Sequence, residues 1–353
     1  MRDTVCSGMF HVKHLLLKVL ENRELCPEHY LITLQTPRGF KEPQPGQFFH
    51  VVCDPDGEKT LINGKERGYA LTLRRPFSVH RVHYAGFDRR LLAAPSIASM
   101  GEIPRTSGRY EIRDIVHGEN PPYPWKERPV SKIDILYKVV GEGTRSLSQV
   151  RPGKLLDVIG PIGNGFHIEP GRAGVIVAGG MGVAPLVALA EKLRYLGTET
   201  HIYVGMVSHM HLQSLLKNSP LEGRDVDGTE LCGLIIREFK GIGAETVTVC
   251  TDDGSAGEKG FVTDTLEADM QAGVILGSDI TIYACGPSEM MRKVSDLAHK
   301  YEAPCQVLME ERMACGIGAC FSCTCNVRDK DGNVEKKRVC VDGPVFEAKE
   351  IVW

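Results

Sequence analysis

Hydrophobic positions change their period along this chain, and the change marks a boundary. Over residues 17–80, short segments alternate apolar and polar positions between turn signals. Tyr30-Leu31-Ile32-Thr33-Leu34 is one, and Phe48-Phe49-His50-Val51-Val52 follows Pro45-Gly46. Ile133-Asp134-Ile135-Leu136-Tyr137-Lys138-Val139 alternates again, and Leu155-Leu156-Asp157-Val158-Ile159-Gly160-Pro161 closes the stretch. A period of two puts every second side chain on one face of a pleated strand. With no long helix between them, such strands predict a small antiparallel β-barrel. Residues 81–131 interrupt it. They are rich in Arg, Pro and Gly, contain Pro121-Pro122-Tyr123-Pro124, and read as an insertion of surface loops or short elements.

Near residue 172 the pattern switches. Val175-Ile176-Val177-Ala178 is a continuous apolar run, as in a parallel sheet covered on both faces. Pro185 suits a first helical turn, and Leu186, Leu189, Ala190, Leu193 and Leu196 recur at helical spacing until Gly197. Strands are expected at 201–207, 245–250 and 280–285, with helices near 260–270 and 288–300. That alternation predicts an α/β nucleotide-binding domain. The expected organisation is multidomain: an antiparallel β-barrel over 1–168, an α/β parallel-sheet domain over 169–302 and a small cysteine-rich domain over 303–353.

Composition removes several function classes. The chain has 353 residues, 42% hydrophobic and 25% charged, which is ordinary globular usage. A net charge of −3 supplies no general field for nucleic acid or anionic membrane. Twelve cysteines raise the question of secretion, but Leu15-Leu16-Leu17 is too short for a signal peptide's apolar core, and Lys18 interrupts it. A cytoplasmic, reducing setting is expected. The uncharged run 173–190 reaches the minimum length of a membrane span. However, Gly174, Gly179, Gly180, Gly182 and Pro185 would break such a helix, so a strand, a glycine loop and a helix are expected instead.

The cysteines carry the most specific chemistry. Cys315, Cys320 and Cys323 are spaced C-x4-C-x2-C, with Cys340 following after a loop, the ligand layout of a plant-type [2Fe–2S] cluster. Gly316 and Gly318 let the loop wrap closely around such a group. A zinc ribbon would pair two C-x2-C knuckles, and only Cys320-x2-Cys323 qualifies. A disulfide framework suits a small secreted domain, which this is not. Cys325, two residues beyond Cys323 in an extended segment, reads as a structural thiol.

Other motifs each have two readings. Gly179-Gly180-Met181-Gly182-Val183-Ala184-Pro185 sits at a strand-to-helix junction, where glycines admit a pyrophosphate, though many such loops are only tight turns. No GxGxxG fingerprint is present, which makes an ordinary Rossmann dehydrogenase a poor fit. Arg75-Pro76-Phe77-Ser78 ends a strand: Arg75 pairs with a phosphate while the segment edges a flavin ring, or it is an exposed arginine. Gly141-Glu142-Gly143-Thr144 opens a short helix with Thr144 as cap, forming a second phosphate cradle, or is a capped turn. Cys285-Gly286-Pro287 ends another strand, with Cys285 beside a nicotinamide, or the thiol is a buried small hydrophobe. Thr251-Asp252-Asp253-Gly254-Ser255 offers carboxylates to ribose hydroxyls, or is turn chemistry.

Together these pieces resemble the electron-transfer subunits of class 1B dihydroorotate dehydrogenase, within the ferredoxin reductase-like group. Arg75-Pro76-Phe77-Ser78 is similar to that group's Arg-x-aromatic-Ser flavin motif, and Gly141-Glu142-Gly143-Thr144 to its FAD pyrophosphate motif. The 179–185 loop resembles its pyridine-nucleotide loop, and Cys285-Gly286-Pro287 its nicotinamide-side motif. Thr251-Asp252-Asp253-Gly254-Ser255 with Lys259-Gly260-Phe261, and the cluster loop ending in Cys340-x-Asp342-Gly343-Pro344-Val345-Phe346, are closest to the family. The resemblance spans residues 17–80 and 132–353. Residues 81–131 and a stretch near 208–232 lengthen the chain beyond the usual subunit.

The resemblance implies FAD, a [2Fe–2S] cluster and NAD(H) as substrate. It also implies a partner, an FMN-containing dihydroorotate dehydrogenase subunit of pyrimidine biosynthesis, in a hetero-oligomer. Gly205-Met206-Val207-Ser208-His209 lacks the Arg or Lys that would favour a 2′-phosphate, which points to NADH over NADPH. No organic-substrate pocket with a general base is evident, so terminal chemistry is expected in the partner. Three rivals stay open: the same relay serving a ferredoxin:NADP oxidoreductase or sulfide dehydrogenase-type complex, a self-contained oxidoreductase, and an iron–sulfur redox sensor without turnover.

Overall fold

The computed structural model describes residues 13–26, 28–54, 61–62, 65–66, 73–86, 109–111, 128–208, 239 and 241–353. Two sheets organise it. The first is antiparallel, with strands β1 (Lys13–Cys26), β2 (His29–Gln35), β3 (Phe48–Val51), β6 (Arg75–Ser78), β7 (Arg81–Tyr84), β9 (Val130–Lys138) and β10 (Leu155–Ile162) in the order β6-β3-β10-β1-β2-β9-β7. The two-residue strands β4 (Leu61–Ile62) and β5 (Lys65–Glu66) form a separate hairpin. Alternation produces this sheet directly: along β10 every second residue is buried. Leu17, Val19, Ile32, Leu34, Phe49, Ile133, Ile135, Leu156 and Val158 share one core.

That sheet curls until Phe77 on β6 meets Tyr137 on β9 edge-on, with ring centroids 5.7 Å apart. No β6–β7 ladder closes it among the described residues, so the expected barrel is a half-barrel here. The expected insertion also needs correcting at its edges. Arg81–Tyr84 pairs with β9 and buries Val82, and Arg109–Glu111 (β8) pairs with a strand of the second sheet. Residues 87–108 and 112–127, like 209–232 of the second expected insertion, lie outside the described residues.

The second sheet contains β11 (Ala173–Gly179), β12 (Thr200–Met206), β13 (Thr246–Thr251), β14 (Glu258–Lys259), β15 (Ile280–Cys285), β16 (Cys305–Leu308) and β19 (Val345–Glu347). Its order is β14-β13-β12-β11-β15-β16-β19, parallel except where β19 and the side strand β8 join. Helices α2 (Val183–Tyr195), α3 (Val262–Gln271) and α4 (Ser288–Lys300) flank it, and the short α1 (Glu142–Ser148) belongs to the first half. The 173–190 run is thus β11, a glycine turn and α2. Among the described residues no helix is long and apolar enough to cross a membrane.

The cysteine-rich tail is stitched into this frame. It adds the hairpin β17 (Thr324–Arg328) and β18 (Val334–Arg338), while β16 and β19 of the 303–353 segment run in the second sheet. Asn164, just past β10, donates through Nδ2 to the Val345 carbonyl and accepts from the Val345 N–H, both at 2.9 Å. Gln306 brackets the His167 backbone in the same way, at 2.9 Å each. On the other side, His80 Nδ1 lies 2.8 Å from the Ala184 carbonyl, and Arg81 Nε donates to Glu191 Oε1 at 3.1 Å, tying the half-barrel to α2.

Candidate functional site

Register places the nucleotide motifs on one edge. Gly179 aligns with Gly205, Met206 with Thr251, and Ala178 with Cys285, so the carboxyl ends of four parallel strands lie side by side. Strand order reverses between β11 and β15. Open α/β sheets hold ligands at such a switch point, where helices on opposite faces leave a crevice.

The glycines there have different duties. A Cβ on Gly182 would run into the Cys285 carbonyl, and one on Gly179 would lie 2.6 Å from Met290 Sδ and 2.7 Å from Pro287 Cδ. Gly286, at φ +158°, packs its Cα side on Gly179. These three glycines allow two loops to interlock. Gly180, at φ +54°, meets no atom among the described residues where a Cβ would stand, and its backbone is the part of the loop that a ligand can approach.

Cys285 is fully buried at the end of β15. Burial first, and the nearby Glu310 second, push its thiol well above the usual range. Buried and protonated, it is a poor base and a poor nucleophile at neutral pH. Thr251 is buried too, and its hydroxyl donates to the Ala256 carbonyl at 2.7 Å. Asp253 Oδ1 accepts the Ser255 N–H at 2.9 Å, which is turn chemistry, while Asp252 is exposed at the edge. Lys259 lies against Gly254, joining the two parts of that motif.

The two motifs with phosphate readings in the first half converge. On β6, Arg75, Pro76, Phe77 and Ser78 pair with Val51, His50, Phe49 and Phe48 of β3. Arg74 is committed to Asp157, donating to its carbonyl and to Oδ1 at 2.9 Å each. Arg75 instead turns toward α1: a Cβ on Gly143 would stand 3.3 Å from its Nε. Gly143 therefore lets the first turn of α1, with its unsatisfied amides, approach a guanidinium. The capping differs from expectation. Gly141 occupies the cap position and Thr144 lies inside the helix, its Oγ1 accepting the Val140 and Gly141 N–H groups at 2.9 and 3.2 Å. A hydroxyl three residues into a helix reaches back to the entering backbone, which is the reciprocal half of a capping box.

The four cysteines meet in pairs. Cys315 lies against Cys320 at the exposed end of the loop, and Cys323 against Cys340 in the interior, with Cys315 near enough to Cys340 to influence it. Among the described residues no three His, Cys, Asp or Glu side chains gather as a single-ion site. Two thiol pairs match the layout of two thiolates per iron that the C-x4-C-x2-C spacing predicts. Burial, then Cys323, pushes Cys340 up to about 12, so ionising it needs a cation. The Ser322 hydroxyl and amide, with Cys315, lower Cys320 to about 6.

Gly316 (φ +68°), Gly318 (φ +81°) and Phe321 (φ +56°) shape the turn. Arg338 braces it, donating to the Gly318 carbonyl at 3.1 Å and to Asp342 at 3.0 and 3.2 Å, with its guanidinium 5.1 Å from the Phe321 ring. Cys325 is buried on β17, outside both pairs, and burial raises it to about 11.

Two residues here escaped sequence reading. Glu310 precedes the loop and faces Cys285; nothing in Met309-Glu310-Glu311 distinguished it from a solvated acidic pair. His50 occupies a core position of β3, where burial and then Arg74 hold it at about 4, and it lies between the Arg75 strand and Gly316. The signal available was a histidine within an otherwise apolar strand.

Comparison with known proteins agrees with this layout. A family model for the iron-sulfur cluster binding domain of dihydroorotate dehydrogenase B matches residues 310–352. The dihydroorotate dehydrogenase B (NAD(+)) electron transfer subunit of Caldanaerobacter subterraneus subsp. tengcongensis is 32% identical over 336 residues, 95% of this chain and 97% of that one. Its Bacillus cereus counterpart is 34% identical over 338 residues, 95% and 96%. Among solved structures, an NADH-dependent reduced ferredoxin-NADP oxidoreductase studied for flavin-based electron bifurcation aligns with a TM-score of 0.61 and 24% identity. It covers 96% of this chain and 90% of that chain, and shares the fold.

Proposed function

Because the chain belongs to the family of dihydroorotate dehydrogenase B electron transfer subunits, we propose that it relays electrons between NAD(H) and a partner catalytic subunit through FAD and a [2Fe–2S] cluster. The partner is an FMN-containing dihydroorotate dehydrogenase, and the net flow runs from dihydroorotate to NAD. The observation that carries this reading is the pairing of Cys315 with Cys320 and Cys323 with Cys340, in one frame with the Arg75–Gly143 cradle and the switch-point edge. Bound flavin exchanges an electron pair with nicotinamide and single electrons with the cluster.

Each residue's task follows from its chemistry. Arg75 and the α1 amides hold the FAD phosphates, with Pro76, Phe77 and Ser78 along the ring and Gly141 and Thr144 fixing the helix entry. Gly179, Gly180 and Gly182 admit the dinucleotide backbone, and Gly286 and Pro287 shape the crevice in which Cys285 is a neutral wall. Asp252 takes the ribose hydroxyls; Asp253 and Thr251 hold the turn that presents it. Cys315 and Cys320 hold one iron, Cys323 and Cys340 the other. Residues 1–168, 169–302 and 303–353 are the FAD, NAD and cluster units. The cluster unit lends β16 and β19 to the NAD unit's sheet, which fixes the two together. Electrons pass to the partner at the outer side of the loop, where Ile317 and Phe321 are exposed beside Cys320.

The test is anaerobic purification of the complex, with iron and flavin analysis. NADH should bleach the flavin and generate a reduced-cluster electron paramagnetic resonance signal, and dihydroorotate should drive NAD reduction. Zinc in place of iron rejects the cluster. Absence of dihydroorotate-dependent NAD reduction in an iron- and flavin-replete complex rejects the partner.

A further inference from the structure

His50 is a buried side chain that this relay does not use. It lies at the middle of β3, opposite Pro76, with 0% of its surface exposed. Among the described residues neither ring nitrogen has a hydrogen-bond partner. Such a buried group costs stability unless something needs it, because the same volume in apolar atoms would fill the site without stranding two polar ones.

Its surroundings are two motifs distant in sequence. A Cβ on Gly316 would collide with His50 Nδ1, and would lie 2.9 Å from Cγ and 3.0 Å from Cε1. The ring therefore occupies the space that the missing side chain of Gly316 leaves. The carbonyls of Cys315 and Arg74 both lie toward the ring, without closing as hydrogen bonds. One imidazole thus touches the strand of Arg75-Pro76-Phe77-Ser78 and the first turn of the cysteine loop. Whichever ring nitrogen holds the proton, the imidazole carries at least one N–H.

Resting on the cluster reading above, we propose that His50 is a positioning residue of the relay: its ring, seated on Gly316, holds the turn bearing Cys315 against the flavin-motif strand. Its stranded N–H is available to the loop that encloses the cluster. Two consequences follow. Single-electron exchange falls steeply with separation, so the residue that fixes the spacing sets the rate. Hydrogen bonds and burial beside the thiolates also set the cluster's potential, so the ring tunes it.

The test uses the full-length chain loaded with FAD and iron, in complex with its partner. His50→Leu should retain flavin and iron. It should shift the cluster's midpoint potential and the g-values of the reduced cluster, and slow flavin-to-cluster transfer in stopped flow. His50→Asn, which keeps an N–H, should recover part of both. If His50→Leu loses iron while His50→Asn keeps it, the seat on the loop is also supported. Gly316→Ala should be damaging in the native background and less so combined with His50→Ala, which vacates the space.

A fully iron-loaded His50→Leu protein with unchanged potential, g-values and transfer rate would overturn the proposal. So would Gly316→Ala being equally harmful in both backgrounds. Zinc, or no metal, in the native chain would instead reject the cluster reading beneath it.

Discussion

The cysteine loop and the nucleotide edge both use glycine to bring backbone close to something else, but they differ in what that something is. In the loop, Gly316 and Gly318 adopt left-handed conformations and meet His50 and Val341, so a wrap around a small centre is held from outside. At the edge, Gly179 and Gly182 meet Pro287, Met290 and the Cys285 backbone, so two loops of the same sheet interlock. The same residue type shapes a tight wrap in one place and the packing of one backbone on another in the other. Cysteine divides in the same way: four thiols in pairs at the loop, one inert thiol at the edge.

The largest effect should come from the interior pair. Cys323→Ser or Cys340→Ser removes a buried thiol from a pair that meets away from water. Each variant should lose iron and all transfer to the partner while NADH still bleaches the flavin. Iron analysis with single-turnover absorbance reads both. If either variant retained a native reduced-cluster spectrum, the pairing would be wrong, and Cys325 would become the alternative ligand.

Next in size is a contrast inside the nucleotide loop. Gly182→Ala must push its methyl into the Cys285 backbone, and overpacking of a rigid contact costs at least about 1–3 kcal/mol. Gly180→Ala meets no neighbour among the described residues and bears only the left-handed backbone cost, roughly 1–2 kcal/mol. Thermal melts should therefore rank Gly182→Ala below Gly180→Ala. NADH KM should rise in Gly180→Ala, whose methyl points where the ligand approaches. A reversed order would make Gly182 the ligand-facing glycine.

Legibility in the sequence followed the same division. The four thiols stood out because spacing and chemistry coincide in one residue type, and the structure brings them together in pairs. The strands of both sheets could be read because the period of two and the continuous apolar run of 175–178 report burial directly. Half-barrel closure and the edges of the 81–131 segment could not be read. They depend on which strands neighbour one another, and Arg81–Tyr84 pairs with β9 across a long stretch of chain. The packing duty of Gly179 and Gly182 could not be read, because the partner that forbids a side chain, Cys285-Gly286-Pro287, lies about a hundred residues away. His50 was missed for the same reason: its neighbours Gly316 and Arg74 meet only in three dimensions.

Thiol reactivity gives a third, smaller contrast. In the metal-free chain Cys320 is exposed and lowered to about 6, chiefly by Ser322, so at pH 7 it is mostly thiolate. Iodoacetamide should label it first, with a rate half-maximal near pH 6, and Ser322→Ala should move that midpoint upward. Cys285, buried and raised, should stay unlabelled under the same conditions. Mass spectrometry of the labelled peptides checks both. Rapid labelling of Cys285 would mean that the edge opens far more than its interlocked glycines allow.

The finest contrast lies within one turn. Asp253 points its Oδ1 at the Ser255 amide, whereas its neighbour Asp252 is exposed at the carboxyl end of β13, where a ribose would lie. A hydrogen bond from a sugar hydroxyl to a charged carboxylate contributes roughly 1.5–3 kcal/mol, and an exposed one falls at or below the lower end. Asp252→Ala should therefore raise the KM for NADH by about tenfold with little change in kcat, because ground state and transition state lose the same contact. Asp253→Asn keeps an oxygen that can accept from Ser255, so it should leave both constants nearly unchanged. If Asp253→Asn raised KM and Asp252→Ala did not, the two carboxylates would exchange roles: the turn would be held by its backbone alone, and the ribose would sit one residue further along.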